Sequence, residues 1–132
     1  MKLLCKVSAA LMLTTALACS TMSPVLLPTG GAMLRQVTRV LERHDDYVNA
    51  DTTLTMVDRE TYLGQSTQVV ATMAAYPDGI TSAMLSPFLA PVMDRHDAYV
   101  SVDSKLDPIE LQQYLATTSG LRSLLTKARW DK

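Results

Sequence analysis

Apolar residues recur every three or four positions along most of this chain, which is the spacing of one face of an α-helix. The first stripe comprises Leu34, Val37, Leu41, His44 and Val48. Residues 49–54 interrupt the pattern, and Thr55 and Asp58 then have the spacing of a capping box. Pro77 and Gly79 end the second helix predicted in this way. Two apolar series recur along it every seven residues, namely Met56, Leu63, Val70 and Tyr62, Val69, Tyr76.

A third apolar stripe is interrupted by prolines. The stripe comprises Leu85, Leu89, Val92, His96 and Tyr99. Because a proline inside a helix removes a backbone hydrogen bond, Pro87 and Pro91 make an uninterrupted helix unfavourable. Ser86 could cap a helix whose first residue is Pro87, but Pro91 lies too deep for that start, so we expect a kink or a late start near Ala90.

The fourth predicted helix has the strongest start signal in the chain. Asp107 supplies a cap, Pro108 occupies the first helical position, and Glu110 reaches back to the cap. Its predicted apolar face comprises Leu111, Leu115, Thr118, Leu121, Leu125 and Ala128.

The second half of the chain repeats the first at an offset of 52 residues. Residues 43–51, RHDDYVNAD, align with residues 95–103, RHDAYVSVD, and six of the nine positions are identical. The same offset aligns Leu54 with Leu106, Val57 with Ile109, and residues 62–63 with residues 114–115. At an offset of 51, residues 32–34 match residues 83–85. We therefore predict an internal duplication, with repeat 1 at about 32–76 and repeat 2 at about 83–128.

Four amphipathic helices with short connections predict an all-α fold for residues 32–132. The helices should form an antiparallel four-helix bundle or two stacked helical hairpins, produced by the internal duplication. No segment shows the alternating pattern of a half-buried strand. A domain of this size buries one modest hydrophobic core.

Charge and motifs narrow the functional classes. The 132 residues include 12 basic and 13 acidic side chains, for a formal net charge of −1. This balance lacks the positive charge on which nucleic-acid binding depends, so we expect no nucleic-acid partner. The predicted helices contain no recognisable catalytic motif, and we expect neither an enzyme nor a cofactor.

Residues 1–18 have the organisation of a signal peptide. Lys2 and Lys6 give a positive start, and residues 7–18 form an uncharged run of 12 residues. A membrane-spanning helix needs about 20 apolar residues, so this run is too short to cross a bilayer comfortably. It ends in Ala16, Leu17 and Ala18, the small-x-small pattern that signal peptidases accept.

Residues 15–19, TALAC, resemble the lipobox of bacterial prolipoproteins, although Leu17 stands where the commonest pattern has Ala or Ser. The resemblance covers about the first 20 residues. It implies cleavage before Cys19, a diacylglycerol thioether on the Cys19 sulfur and, in many species, N-acylation with a fatty acid such as palmitate. Ser20 after the cysteine implies sorting to the outer membrane, facing the periplasm. Ordinary secretory cleavage after Ala18, which gives a secreted or soluble periplasmic protein, and an uncleaved anchor are the alternatives.

Membrane attachment would depend on the lipid alone. Cys5 and Cys19 are the only cysteines, so a chain cleaved before Cys19 forms no intramolecular disulfide. Two or three acyl chains give stable membrane association.

Residues 19–31 would be the lipidated cysteine and a flexible tether, because Ser, Thr, Pro and Gly dominate there. Residues 20–31 of this tether span about 40 Å at most when fully extended. We therefore expect a small envelope lipoprotein, a structural or adaptor module that docks an envelope protein.

The repeated His-Asp pair is the most specific candidate site. His44 and His96 are the only histidines, and each is followed by an aspartate, Asp45 or Asp97. In an up-down-up-down bundle the two histidines lie at similar depth on parallel helices. A structural interpretation places the basic residues near helix C-termini, where the helix dipole favours cations. The alternatives are a metal or small-ligand site formed by these four residues, or a pH switch.

Overall fold

A computed structural model describes the backbone of residues 26–27 and 31–130 and the side chains of residues 31–126. The described part is an all-α four-helix bundle. Its helices are α1 (Gly31–Ala50), α2 (Met56–Ala75), α3 (Ser82–Val102) and α4 (Pro108–Trp130). The predicted signal peptide (residues 1–18) and Cys19 lie outside the described residues. None of the described helices combines the length and hydropathy needed to cross a bilayer.

Both predicted capping boxes open a helix. The Thr55 hydroxyl accepts a hydrogen bond from the Asp58 backbone N–H at 3.0 Å at the start of α2. At the start of α4, the Asp107 carboxylate accepts from the Glu110 N–H at 2.8 Å, and Glu110 accepts from the Asp107 N–H at 3.3 Å. These bonds satisfy backbone donors that a helix leaves unpaired at its first turn.

The start of α3 corrects the sequence-based expectation. The helix begins at Ser82, before both the predicted Ser86 cap and the late start near Ala90, and it includes Pro87 and Pro91. Each internal proline costs about 3 kcal/mol. Tertiary packing offsets this cost, because Leu85, Leu89 and Val92 are completely buried and each buried side chain of this kind contributes about 1.5–3 kcal/mol.

The four helices alternate in direction around one core. Hydrogen bonds join residue 44 of α1 to residue 66 of α2, and residue 51, directly after α1, to residue 59 of α2, so these helices are antiparallel. Residues 43 and 47 of α1 contact residues 96 and 99 of α3, so those two helices are parallel, as expected. Helices α2 and α4 pack on α3, and α1 packs on the other three. Core side chains from all four helices are Met33, Val37, Val40, Leu41, Val69, Met73, Leu85, Leu89, Val92, Met93, Leu121 and Leu125.

The inward face of α2 differs from the predicted one. Its buried side chains are Ser66, Val69 and Met73. Met56, Val70 and Tyr76, which the seven-residue series placed on apolar faces, are exposed. The helix buries a polar residue in the interior and leaves large apolar side chains on the surface, which a hydrophobicity pattern alone does not predict.

Part of the predicted flexible tether is a strand. β1 (Leu26–Leu27) pairs with β2 (Ile80–Thr81), which directly precedes α3. The pairing is antiparallel, with Leu26 opposite Thr81 and Leu27 opposite Ile80. The Ile80 side chain is completely buried. The chain is therefore attached to the bundle before α1 begins.

Candidate functional site

The two copies of the Arg-His-Asp motif meet where α1 and α3 run side by side. His44 and His96 are both fully buried. The contacts among the histidines, their aspartates, the arginines and the tyrosines recur in both copies at an offset of 52 residues, and several of them cross between the copies. The sequence repeat is therefore also a repeat of contacts, arranged with approximate two-fold symmetry.

Each histidine lies between the aspartate beside it and an arginine of the other copy. The His44 Nδ1 is 2.8 Å from Asp45 Oδ1, and the Arg95 Nη1 donates to His44 Nε2 at 3.1 Å. In the second copy, His96 Nδ1 is 2.9 Å from Asp97 Oδ1, and Arg43 Nη1 donates to His96 Nε2 at 3.0 Å. Because a guanidinium only donates, Nε2 accepts in both rings and the proton is on Nδ1.

Both imidazoles are held neutral by their surroundings. Burial lowers the pKa of His44 and of His96. The neighbouring aspartates act in the opposite direction but do not reverse the effect. The helix-dipole interpretation of the motif is wrong, because neither α1 nor α3 has a basic residue in its last turn.

A second ring of hydrogen bonds surrounds the histidine–aspartate pairs. The Ser66 hydroxyl of α2 donates to Asp45 Oδ1 at 2.6 Å, and the Thr118 hydroxyl of α4 donates to Asp97 Oδ1 at 2.8 Å. Burial favours a higher pKa for Asp97, but hydrogen bonds from His96, Arg122 and Thr118 hold it below its ordinary value. Ser66 aligns with Thr118 at the offset of 52, so the repeat contained a signal for these two positions.

The arginines also connect the central pair of helices to the outer pair. The Arg43 guanidinium lies 3.5 Å from the ring centre of Tyr114 in α4, and Arg95 lies 3.5 Å from that of Tyr62 in α2. Arg95 additionally donates to Gln65 Oε1 at 2.9 Å. Since a cation over an aromatic face is stabilised by the ring quadrupole, each arginine joins three helices.

Two tyrosines complete the symmetric cluster. The rings of Tyr47 and Tyr99 are stacked with centroids 5.4 Å apart. Tyr47 donates to Asp103 at 2.7 Å, and Tyr99 donates to Asp51 at 2.8 Å. Burial and these carboxylates raise the pKa of both tyrosines to about 12.

Asp51 and Asp103 also organise the turns that follow α1 and α3. Asp51 Oδ1 accepts from the Thr53 backbone N–H, and Asp103 Oδ1 accepts from the Lys105 backbone N–H, each at 2.9 Å. These two aspartates therefore orient equivalent turns in the two copies.

The predicted metal set is not gathered around an open position. His44 and His96 lie at the same level of the bundle, but each ring has its two nitrogens engaged by an aspartate and an arginine. Among the described residues, no three His, Cys, Asp or Glu side chains are placed to hold a metal ion. Metal binding by His44, His96, Asp45 and Asp97 stays a prediction, and this geometry gives it no support.

The copies differ where α2 and α4 carry non-equivalent residues. Arg122 of α4 donates to Asp97 Oδ2 at 2.6 Å and to Asp94 Oδ1 at 2.9 Å. The position aligned with Arg122 is Val70 of α2, whose side chain is 57% exposed. A cavity of about 330 Å³ lies at this place in the first copy, lined by Thr38, Leu41, Glu42, Asp45, Ser66, Thr67 and Val70.

A second cavity continues this opening towards the N-terminal end of α1. It measures about 370 Å³ and shares Thr38, Leu41 and Val70 with the first. Its lining is largely apolar and is completed by Leu34, Val37, Met73, Ala74 and Pro77. We call the two cavities together the α1–α2 groove, with an acidic end at Asp45 and an apolar end at Leu34.

Comparisons with protein-family models, with curated proteins and with solved structures found no match to this chain.

Proposed function

We propose that this chain is a small envelope lipoprotein, anchored through Cys19, whose bundle docks a protein partner in the α1–α2 groove. The lipobox-like sequence at residues 15–19 supports the location. The groove supports the docking role, and it is the observation on which the proposal depends.

The apolar end of the groove exposes large apolar side chains. Leu34 of α1 is 43% exposed there, and Val70 of α2 is 57% exposed. Exposing a large apolar side chain forgoes about 1.5–3 kcal/mol of burial, and apolar concavities on a soluble surface are typical of binding sites. A partner side chain seated between Leu34 and Val70 would recover this burial.

The buried His-Asp pairs support a structural role beside the groove rather than catalysis. Ser66 lies 3.1 Å from His44 Nδ1, which gives a Ser-His-Asp grouping. However, the Ser66 hydroxyl donates to Asp45, and Arg95 occupies the lone pair of His44 Nε2. The imidazole therefore has no free lone pair with which to accept a proton from Ser66, which general-base catalysis requires.

Site-specific photocrosslinking in the bacterial host tests the docking role. A photoreactive amino acid at Thr67, in the groove, should crosslink a discrete partner in the full-length exported protein. Ser119 aligns with Thr67 in the second copy and is also exposed, so it provides the matched control position. Equal crosslinking at Thr67 and Ser119 would contradict the proposal. So would the absence of crosslinking from a photoreactive amino acid at Thr67 and from one at Val70.

Intact mass and membrane partition of the exported protein test the anchor. Acylation should add the mass of the lipid to a chain that begins at Cys19, and the product should partition with membranes. A Cys19→Ala variant, which removes the sulfur that carries the diacylglycerol, should lose the added mass and the partition. A freely soluble product with an unmodified thiol would contradict the proposed location.

A further inference from the structure

The acidic end of the α1–α2 groove has an occupied counterpart in the same molecule. Every lining residue aligns with a residue of the second copy at the offset of 52. The counterparts are Ala90, Met93, Asp94, Asp97, Thr118, Ser119 and Arg122. The second copy therefore shows which chemical group this arrangement of carboxylates and hydroxyl accommodates.

In the second copy the occupant is a guanidinium. Arg122 directs one nitrogen to each of two carboxylates, Asp97 at 2.6 Å and Asp94 at 2.9 Å. The Asp97 carboxylate is in turn fixed by His96 and by Thr118. A planar guanidinium is suited to this double contact, because its N–H groups diverge in a rigid fork.

The first copy retains the acceptors and lacks the occupant. Asp45 is fixed by His44 and Ser66 through Oδ1, as Asp97 is by His96 and Thr118. Glu42 stands in the place of Asp94, with one more methylene group. Among residues 31–126 no Arg or Lys side chain pairs with Glu42 or with Asp45, and no described donor contacts Asp45 Oδ2. Val70 is too short to fill the space that Arg122 fills.

We propose that this acidic end is a guanidinium socket, in which an arginine side chain of the docked protein takes the position that Arg122 takes in the second copy. This inference rests on the proposed docking function and specifies the chemistry of the partner. The arginine would bridge Glu42 and Asp45, and an adjacent apolar side chain of the partner would enter the groove at Leu34. Both halves of the groove are then used by one segment of the partner.

Amide chemical shifts measured by nuclear magnetic resonance on the full chain in detergent micelles test the socket. The probes are Nα-acetyl-arginine amide, its neutral isostere Nα-acetyl-citrulline amide, and Nα-acetyl-lysine amide. The arginine probe should shift amides around residues 42, 45, 66 and 70. The citrulline probe should bind at least ten-fold more weakly, because it carries no charge, and the lysine probe should also bind more weakly because it lacks the fork.

Two substitutions exchange the properties of the two copies. Val70→Arg should fill the socket with the chain's own guanidinium and abolish the shifts at residues 42 and 45. Gln68→Arg, which adds the same charge at an exposed position of α2, should leave them in place. Arg122→Val should open the second copy, so that the arginine probe also shifts amides around residues 94, 97 and 118.

Several outcomes would overturn the socket. These are the absence of shifts at residues 42 and 45 at millimolar arginine probe, equal binding of the citrulline probe, and undiminished binding in Val70→Arg. Free L-arginine binding at least ten-fold more tightly than the blocked probe would identify a small-molecule site and overturn the protein-borne arginine. A partner crosslinked at Thr67 without arginine selectivity would leave the docking function standing while the socket fails. Selective arginine binding without any crosslinked partner would leave the guanidinium-binding site standing while the docking function fails.

Discussion

The first and second copies of the repeat share their interior and differ at their surfaces. Inside the bundle, His44 and His96 have the same neighbours at nearly the same distances. On the outside, Arg122 closes the second copy, whereas Val70 leaves a groove in the first. The comparison shows which contacts tie the copies to each other and which positions are independent.

The interior is constrained because its contacts cross between the copies. Arg43 supports His96, and Arg95 supports His44. A change in one motif therefore removes a partner from the other. Arg122, in contrast, contacts only carboxylates of its own copy, Asp94 and Asp97, so a valine at the aligned position leaves the interior of the first copy unaffected.

The largest effect should come from removing either imidazole. His44→Ala and His96→Ala should each lower the free energy of unfolding by about 3–5 kcal/mol, because each leaves a cavity and an unsatisfied aspartate and arginine. Urea unfolding followed by circular dichroism measures this loss, with the exposed Gln113→Ala as a control. The two losses should agree, and a difference above about 1 kcal/mol would contradict the equivalence of the two interiors.

Acidic pH should weaken both copies together. Since the pKa of His44 and of His96 lies below the ordinary value of 6.5 in the folded protein, the unfolded chain takes up two protons that the folded chain does not. The contribution of the two neutral histidines to the free energy of unfolding is fully present above pH 6.5. It is lost as the pH falls from there towards the lowered pKa values. The limiting slope is about 2.7 kcal/mol per pH unit.

Urea midpoints at pH 7.5, 6.5 and 5.5 measure this dependence. A variant in which both histidines are replaced by glutamine should lose the slope within this window. Increasing stability on acidification would contradict neutral, buried imidazoles.

The aspartates should reveal the difference between the copies. Asp97→Asn removes a carboxylate that accepts from His96, Thr118 and Arg122, and it should cost about 2–3 kcal/mol. Asp45→Asn affects a carboxylate without an arginine partner, and it should cost about 1 kcal/mol. In a Val70→Arg background the two costs should converge. Thermal or urea unfolding of Asp45→Asn and Asp97→Asn, each with and without Val70→Arg, would measure this.

The smallest effect concerns the tyrosine pair. Two tyrosines should ionise near pH 12, because burial and the aspartate of the other copy raise the pKa of Tyr47 and Tyr99. Their contribution to stability is present below pH 10 and is lost as the pH rises towards 12. Ultraviolet titration of tyrosinate should show one fewer late-ionising group in Tyr47→Phe and in Tyr99→Phe, and an unchanged titration in either variant would contradict this assignment.

The sequence was sufficient for the architecture because local signals and the repeat agreed. The capping boxes at Thr55 and Asp107 were predicted and are confirmed. The parallel arrangement of α1 and α3, with both histidines at one level, followed from alternating helix directions. These features depend on short-range spacing, which is visible in a linear pattern.

Features set by tertiary contacts were missed. The continuous start of α3 at Ser82 depends on burial of Leu85 and Leu89 against other helices, which propensity does not contain. Ser66 is buried although it is polar, because it hydrogen-bonds to Asp45, whereas the apolar Val70 is exposed. The role of Arg122 depends on its contacts with Asp94 and Asp97 of another helix, which the sequence does not contain.

Under the proposed anchoring through Cys19, the pairing of β1 with β2 would set which end of the bundle faces the bilayer. Leu26 is attached to the bundle only seven residues after Cys19, and seven residues reach about 25 Å at full extension. A helix of 20 residues is about 30 Å long, so an acylated Cys19 could not reach around to the opposite end. The lipid would hold the strand-bearing end against the headgroups, and the exposed Met56, Val102 and Ile109 would project away from them as the outermost tip.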